Sequence, residues 1–600
     1  MPTYKAPVRD TQFVLDEMLN ITQYAALPGF ADATPDIVNA VLEEGGKYVE
    51  EITHPLNQSG DEIGCTRNDD GSVTTPPGFK SAYEQLVAGG WVGLGCDPAY
   101  GGQGLPHVVA TSFEEYMISG NMAFTMYMGL TTGAIAAIQA VATEEQKQTY
   151  IPKMVEGRWS GTMNLTEPHC GTDLGLLTTK AEPQSDGSYR ISGTKIFISS
   201  GEHDLTENII HLVLAKIPGS PDSVRGISLF IVPKFILDEN GEAGEKNGVS
   251  CGSIEKKMGI HGNATCVMNY DAATGYLIGE PDKGLRAMFI MMNAARLGVG
   301  MQGLSISELA YQNAAAYAQD RQQGRSLSGP KNSAGKADPI IVHADVRRML
   351  LNIKAFNEGA RALALWTALH VDLSHKAPTP EERQQADDVV GLMTPVIKAY
   401  FTDQGYENAT NAQQCLGGHG YIREWGLEQC VRDARIAMIY EGTNGIQALD
   451  LVGRKLSLNG GRAYKQYVAI ITQFIKEIES DSMQLYSTGL EAALADLNAA
   501  TQWLAQNGVT NPDNAGAGAV PYLRLFALVA MGFTWASIAK TCLSIGDAGK
   551  HGEDFYRNKI TTAEYFFSHL LIETGTLKQR VMAGADNIMA LDGNAFQAAG

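Results

Sequence analysis

The feature that most constrains the fold of this 600-residue chain is a change of hydrophobic pattern at Trp159 and a second change near Gly284. Before Trp159, stretches such as PDIVNAVLEEGGKYVEEI carry apolar residues at helical spacing, and TEEQKQTYIPKMVEG opens on Thr143, a suitable helix N-cap. Between the two points, short β-rich runs such as NIIHLVLAKI alternate with Gly, Pro, Asn and Asp. After Gly284 the helical pattern returns. This order predicts an α domain, a β domain and a second α domain.

The length requires several domains, because single hydrophobic cores stop growing at about 250–300 residues. We predict an α+β protein with four parts. They are an N-terminal α-helical domain over 1–158, an antiparallel β-sandwich or barrel over 159–284, a C-terminal α-helical bundle over 285–458 and an appended α-helical domain over 463–600.

Charge and cysteine content exclude several classes of partner. The chain has a formal charge of −20, a pI of about 5.1 and no Lys/Arg run, whereas nucleic acid and anionic membrane surfaces select basic patches. Its 8 cysteines are scattered without C-x-x-C pairs or clustered histidines, so we predict no metal site and no disulfide framework. Reduced cysteines and an N-terminus without an apolar export segment indicate a cytoplasmic protein.

One apolar stretch is long enough to span a membrane. Residues 116–143 carry no formal charge. Asn, Thr and Gln residues interrupt the stretch, however, and no aromatic or basic flanks frame it. We therefore predict one or two buried core helices and no membrane span.

Four motifs carry residues suited to chemistry: MNLTEPHCGTDLG at 163–175, KIFISSG at 195–201, QCLGGHGYIREWG at 414–426 and IYEGTNGIQ at 439–447. A fifth feature is Arg296, a charge in an apolar helical segment that needs a partner such as a carboxylate or a phosphate. Taken one at a time, the first two motifs are typical of a turn and a half-buried strand, Glu441 of an exposed helix-end acid and Arg296 of a structural ion pair.

Together and in this order, the motifs resemble the acyl-CoA dehydrogenase family over residues 40–458. LTEPHCGTD is similar to that family's flavin-contacting turn, KIFISSG to its second flavin strand, CLGGHGY to its adenine-side glycine turn and IYEGTNGIQ to its catalytic loop. The resemblance implies FAD as cofactor, an acyl-CoA thioester as substrate and α,β-dehydrogenation. It makes Glu441 the base that removes the α proton while the β hydride goes to flavin N5.

The resemblance also implies the binding residues. The cofactor-binding positions are Met163, Leu165, Thr166, Thr172, Phe197, Ser199, Arg321, Gln414, Gly418 and Thr443. The substrate-binding positions are Thr172, Asn293, Arg296 and Gly442. The chain departs from the family where Phe197 stands in place of a common Trp, where Gly445 replaces a larger side chain, and where RQQGR replaces an Arg-x-Thr-Phe-Gly run.

The N-terminal opening and the appended domain resemble a subgroup of long bacterial members. Within it, residues 417–456 are most similar to a member that oxidises a thioether-containing acyl-CoA; a straight-chain medium or long acyl-CoA of fatty-acid β-oxidation is an alternative substrate. The resemblance implies an electron-transfer flavoprotein as electron acceptor, and an oxidase that uses O2 is a further alternative. We predict a homodimer, because the apolar helices of the appended domain suit a subunit interface or the place of a second dimer in a tetramer. A DNA-associated flavoprotein is disfavoured, because residues 461–600 hold 10 Lys/Arg and 13 Asp/Glu.

Overall fold

The computed structural model describes residues 2–546 and 549–597 of the chain. Its backbone divides into two compact units. The first unit consists of Glu44–Gly298, and the second combines Pro2–Glu43 with the residues from Val299 onward.

Helices dominate the chain up to residue 158. The first six are α1 Val8–Gln12, α2 Pro35–Tyr48, α3 Pro55–Ile63, α4 Phe79–Ala88, α5 His107–Val141 and α6 Glu144–Val155. Helix α5 contains the apolar stretch and is interrupted at Asn121, whose φ of −161° is not helical. Helix α6 begins as predicted: the Thr143 hydroxyl accepts a hydrogen bond from the Gln146 N–H, and the Gln146 side chain caps the Thr143 N–H in return.

A short hairpin interrupts these helices, where the sequence predicted helices alone. Strands β1 Thr66–Arg67 and β2 Val73–Thr74 pair in antiparallel fashion. Between them Gly71 has a φ of +86°, and the Asn68 N–H donates to Ser72 O (2.8 Å). Asp-Gly turns of this kind favour hairpins because glycine adopts positive φ without strain.

The middle of the chain forms the main sheet. Its strands are β3 Trp159–Asn164, β4 Lys180–Pro183, β5 Tyr189–Ser199, β6 Asn208–Lys216, β7 Ile227–Pro233, β10 Val249–Ile254 and β11 Thr265–Ile278, while β8 Phe235–Leu237 and β9 Ala243–Lys246 pair separately. The pairings run β11–β5–β4–β6–β7 and back to β11, so five strands close into a ring. Strand β10 adds to β11, and β3 adds to β6.

The predicted antiparallel pairing holds for most of this sheet, with a correction at one edge. Strands β3 and β6 are parallel, from Trp159 opposite Asn208 to Asn164 opposite Val213, and β4 meets β6 in parallel at one residue pair. Parallel neighbours need a long connection. Here the segment at 165–175, which we call the polar turn, and the β4–β5 hairpin lie between β3 and β6 in the chain.

Strand β6 shows why its sequence is an almost unbroken apolar run. Ile210, Leu212 and Leu214 belong to a core cluster that also contains residues of α5 and α6. Val213 and Ala215 belong to a second cluster with residues of β5, β7 and β11. Successive side chains of a strand point to opposite faces. A strand that is buried on both faces therefore does not alternate apolar with polar residues.

The remaining helices are α7 Gly284–Asp320, α8 Ala344–Lys376, α9 Pro380–Cys415, α10 Leu427–Ala437, α11 Asn444–Asp450, α12 Arg462–Glu477, α13 Gln484–Thr510, α14 Pro512–Ile545, α15 Glu553–Tyr565, α16 Thr574–Met582 and α17 Asp586–Met589. The glycines of α7 let another helix approach. A Cβ at Gly303 would lie 2.2 Å from Phe401 O, and one at Gly405 would lie 2.4 Å from Gly303 O. The backbones of α7 and α9 are thus in contact, which explains glycine inside a helix.

Helices α5 and α14 are long and apolar enough to cross a membrane by length and composition. In the most apolar window of each, 61% of α5 and 83% of α14 is buried inside the protein. Buried core helices of globular proteins pass the same test, so their length is weak evidence for a membrane span.

Candidate active site

A buried ion pair organises the polar turn that follows β3. Glu167 and Lys195 are 2% and 0% exposed, and Lys195 Nζ lies 2.9 Å from Glu167 Oε1. Burial opposes the charge of Glu167, but the ammonium of Lys195 and hydrogen bonds from Thr179 and Thr178 outweigh it and lower the pKa of Glu167 to about 2. Lys195 Nζ also donates to Leu165 O (3.0 Å). The pair therefore fixes the end of β3 to β5.

The turn lies beside the part of β5 that carries Phe197. The Ile196 N–H donates to Thr166 O (2.9 Å). The register of β5 against β11 shifts between Lys195 and Ile198, and Phe197 has a φ of +59°. This bulge reverses the side-chain alternation, so that Lys195 and Ile198 are buried whereas Phe197 is 59% exposed and Ser199 is half-buried. A large aromatic ring and a hydroxyl are thereby presented outward.

The other site residues of the first unit lie on β3, in the turn and on α7. Leu165 and Arg296 are buried, Met163 and Thr166 are half-buried, and Thr172 and Asn293 are exposed. Arg296 donates from Nη1 to Asn293 Oδ1 (3.3 Å), and its guanidinium carbon lies 5.9 Å from the Phe289 ring centroid. The structure therefore brings Arg296 and Asn293 together.

Glu441 belongs to the second unit and lies in residues 438–443, which we call the base loop, between α10 and α11. Glu441 is half-buried with a φ of +58°, and Gly442 follows with a φ of +84°. A non-glycine residue with positive φ is uncommon and needs support from its surroundings. Part of that support is Gln447, which is fully buried and donates from Nε2 to Glu441 O (3.0 Å) and Gly442 O (3.3 Å).

Asn444 fixes the end of the base loop to α9. Lys398, which is fully buried, donates from Nζ to Asn444 Oδ1 (2.8 Å). The Asn444 amide donates to Asp403 Oδ1 (2.7 Å) and to Ala399 O (3.1 Å). Thr443 caps α11 by accepting a hydrogen bond from the Ile446 N–H. The backbone around Glu441 is therefore held from two sides.

Three further predicted positions lie near the end of α7. Arg321 follows α7 and is exposed, as are Gln414 and Gly418. The Tyr317 hydroxyl and His419 Nδ1 share a hydrogen bond (2.9 Å), so the end of α7 lies beside the glycine turn at 417–421. Among the residues that the structure describes, and apart from its chain neighbours and local helix backbone, no atom lies within 4 Å of where a Cβ at Gly418 would be.

Family models cover most of the chain. The acyl-CoA dehydrogenase N-terminal, middle and C-terminal domains match residues 69–158, 162–273 and 282–456, and the domain described as acetyl-CoA dehydrogenase C-terminal like matches residues 467–592. A 3-methylmercaptopropionyl-CoA dehydrogenase of Ruegeria pomeroyi is 42% identical over 98% of this chain and 99% of that enzyme. The chain belongs to the acyl-CoA dehydrogenase family.

Two other proteins are similar to this acyl-CoA dehydrogenase, one in sequence and one in structure. The broad-specificity linear acyl-CoA dehydrogenase FadE5 of Mycobacterium tuberculosis is 34% identical over 99% of this chain and 100% of its own. A crystal structure of an acyl-CoA dehydrogenase complexed with FAD from Bacillus anthracis has a TM-score of 0.75 at 20% identity and covers 94% of this chain and 90% of its own.

These comparisons confirm the family, the enzyme class and the fold class. The chain is a flavoprotein oxidoreductase of a family that uses FAD, with the family's three domains and an additional C-terminal helical domain. They also agree with the resemblance of residues 417–456 to the enzyme from Ruegeria pomeroyi.

The cysteines and one group of potential metal ligands concern the prediction of no disulfide framework and no metal site. All 8 cysteines lie within the described residues and are free. Glu167, His169 and Cys170 place potential metal-ligand atoms within 4.8 Å of one another. Glu167 is already bonded to Lys195 and two threonines, so this grouping is accounted for by the ion pair.

Sequence reasoning missed Glu167 and Lys195, which hold the polar turn in the first unit, and Lys398, Asn444 and Gln447, which hold the base loop in the second. A signal for two of them is visible. Lys195 interrupts an alternating strand and Lys398 an apolar helical run, TPVIKAYF. A charge in such a setting must be paired, so each predicts a buried partner. No comparable signal distinguishes Gln447 from an ordinary helical glutamine.

Proposed function

We propose that this chain oxidises a saturated acyl-CoA thioester to its α,β-unsaturated derivative, with Glu441 as the base. The thioester loses a proton from Cα to the Glu441 carboxylate and a hydride from Cβ, so it gives up two electrons and gains a double bond. FAD supplies the hydride acceptor when bound. The observation that carries this proposal is the geometry of the base loop, which keeps a carboxylate in a strained backbone conformation through two independent supports.

The residues of the first unit fit a flavin. Strained backbone conformations cluster at active sites and ligand sites, and Phe197 combines a positive φ with a ring that is 59% exposed. We propose that Met163, Leu165, Thr166 and Ser199 bind the flavin with it, Thr166 offering a hydroxyl. Thr172 is proposed to contact the flavin or the pantetheine of the thioester.

The remaining binding roles are also proposals. Arg321, with its permanent positive charge, suits the FAD pyrophosphate, and the exposed, glycine-rich turn with Gln414 and Gly418 suits the adenosine. Thr443 is proposed to lie near the cofactor. Gly442, Asn293 and Arg296 are proposed to bind the acyl-CoA.

The proposed substrate is 3-methylmercaptopropionyl-CoA, giving methylthioacryloyl-CoA in dimethylsulfoniopropionate degradation. Its support is the 42% identity to the Ruegeria pomeroyi enzyme over nearly the whole of both chains. The alternative is a straight-chain acyl-CoA, which the similarity to FadE5 favours at 34% identity. Both substrates undergo the same proton and hydride loss, so the assignment of Glu441 does not depend on the choice.

The test is anaerobic bleaching of the flavin by a panel of acyl-CoAs that includes 3-methylmercaptopropionyl-CoA, butyryl-CoA and longer straight chains. We expect bleaching, fastest with the thioether substrate. Glu441→Gln should retain FAD and bind acyl-CoA but fail to bleach. Bleaching at the wild-type rate in Glu441→Gln would remove Glu441 from its role, and faster bleaching by a straight chain would replace the proposed substrate.

We further propose that the reduced enzyme passes its electrons to an electron-transfer flavoprotein, that it is a homodimer and that it is cytoplasmic. Admitting air after bleaching tests the first point, because fast reoxidation with peroxide formation would indicate an oxidase. Light scattering tests the second, and cell fractionation tests the third. The division into domains at 1–158, 159–284, 285–458 and 463–600 is retained as a proposal that limited proteolysis can test.

A further inference from the structure

The appended domain packs directly on the elements that hold the base loop. Helix α14 contacts α11, which begins immediately after the base loop, and it also contacts α8 and α9. The fit is close, because Trp535 Nε1 donates to Ala355 O (2.9 Å) and a Cβ at Gly359 would lie 2.5 Å from that indole nitrogen. Such packing leaves α14 little freedom to move apart from the bundle.

One charged residue of α14 lies next to the support of the base loop. The guanidinium carbon of Arg524 is 6.0 Å from the Tyr400 ring centroid. Asp403 lies one helical turn after Tyr400 on α9, so both occupy the same side of that helix. Glu573, also in the appended domain, orients the guanidinium by accepting a hydrogen bond from Arg524 Nη2 (3.1 Å).

Asp403 connects Arg524 to the base loop. Its carboxylate accepts a hydrogen bond from Asn444, the residue that fixes the loop to α9. Burial raises the pKa of Asp403, while the hydrogen bond from Asn444 and the positive charges of Arg524 and Lys398 oppose this rise. Nearby cations favour the charged form of a partly buried carboxylate, and the charged form accepts the stronger hydrogen bond from Asn444.

We propose that Arg524 is a positioning residue for the dehydrogenation, acting through Asp403 and Asn444 on the base loop, so that the appended domain is part of the catalytic apparatus. The inference rests on the proposed role of Glu441. The carboxylate must reach the α carbon, and a displacement of about 1 Å at a reacting group can cost on the order of 100-fold in rate. Contacts that hold the loop therefore act on the chemical step more than on substrate binding.

The experiment compares Arg524→Leu, Arg524→Lys and the control Arg580→Leu, which removes an exposed arginine from α16 of the same domain. The first readout is hydrogen–deuterium exchange of a peptide covering residues 438–447. The second is the rate of anaerobic flavin bleaching by 3-methylmercaptopropionyl-CoA, with kcat and KM measured alongside. All proteins are tested as full-length enzyme with bound FAD.

We expect Arg524→Leu to increase exchange in 438–447, to slow bleaching on the order of 10-fold and to leave KM within about twofold. Arg524→Lys should recover most of the rate, and Arg580→Leu should match the wild type. Unchanged exchange in 438–447 would overturn the proposal whatever the bleaching rate, as would an equal rise in exchange across the whole appended domain. A wild-type enzyme that no acyl-CoA bleaches would refute the proposed function instead, while the exchange data would still test the contact.

Discussion

Removing Lys195 tests the buried ion pair of the polar turn. Lys195→Met keeps the length of the side chain and leaves the Glu167 carboxylate 2% exposed without its cation. Breaking a buried pair in this way costs about 3–5 kcal/mol. At about 1.4 kcal/mol per factor of ten, this corresponds to a roughly 100- to 3,000-fold loss of protection for the local opening of β5.

The assay is native-state hydrogen exchange of the β5 peptide, since a global unfolding free energy is not well defined for a chain of several domains. Glu167→Gln combined with Lys195→Met should cost less than the sum of the two single changes, with a coupling of about 1–3 kcal/mol. The control is Lys47→Met, which removes an exposed ion pair with Glu44 and should cost less than about 1 kcal/mol. Protection of β5 within threefold of the wild type in Lys195→Met would refute the assignment.

The same pair gives a dependence on pH with a definite sign. The pKa of Glu167 is lowered to about 2 from an ordinary value of 4.5. A lowered carboxyl pKa contributes stability that is present above pH 4.5 and is lost as the pH falls toward 2. Lys195→Met should therefore remove most of the change in β5 protection over this range, and an unaltered pH profile in that variant would contradict the reasoning.

Three further outcomes can be measured. Gly303→Ala would place its Cβ 2.2 Å from a backbone oxygen of α9 and should lower the protection of the α9 peptide in native-state hydrogen exchange by the equivalent of several kcal/mol. Gly453→Ala should leave protection unchanged, because no described atom beyond its chain neighbours and local helix backbone lies within 4 Å of the added Cβ. Burial lowers the pKa of both His203 and His211 to about 3, so protonation of the unfolded chain should reduce stability as the pH falls below 6.5, by up to about 1.4 kcal/mol per pH unit for each. His203→Asn should flatten this pH profile in hydrogen exchange of a peptide covering residues 203–216. Thr143→Ala should cost about 1 kcal/mol in the protection of the α6 peptide through loss of the cap, and no change would contradict the observed capping box.

Local signals in the sequence predicted much of the fold because they are set by nearby residues. The cap at Thr143 and the start of β3 at Trp159 depend on a few neighbours, and both lie where the pattern indicated. The almost unbroken apolar run of β6 is likewise a local signal, because a strand that is buried on both faces carries apolar residues at successive positions. Four motifs in a fixed order were enough to identify the family, because the order and spacing of four separate motifs leave little room for coincidence.

Pairings between distant segments could not be predicted in this way. The parallel contact of β3 with β6 depends on where the intervening hairpin folds back, which no local pattern records. The bulge at Phe197 is similar: alternation by itself placed Phe197 and Ser199 on a common face but gave no reason for that face to be the exposed one. A one-residue shift reverses the faces of a strand, and its position is set by the partner strand.

Buried cations connect local sequence signals with pairings between distant segments. Lys195 interrupts an alternating strand, Lys398 and Arg296 interrupt apolar helical runs, and each of the three is less than 9% exposed. Long cationic side chains are rarely buried without a specific partner, because desolvation of an unpaired charge is prohibitive. Lys195 binds the polar turn and Lys398 binds the end of the base loop, while Arg296 contacts another proposed substrate residue. The identity of each partner requires the structure, but the position of the cation in the sequence already indicates where the fold must supply a buried partner.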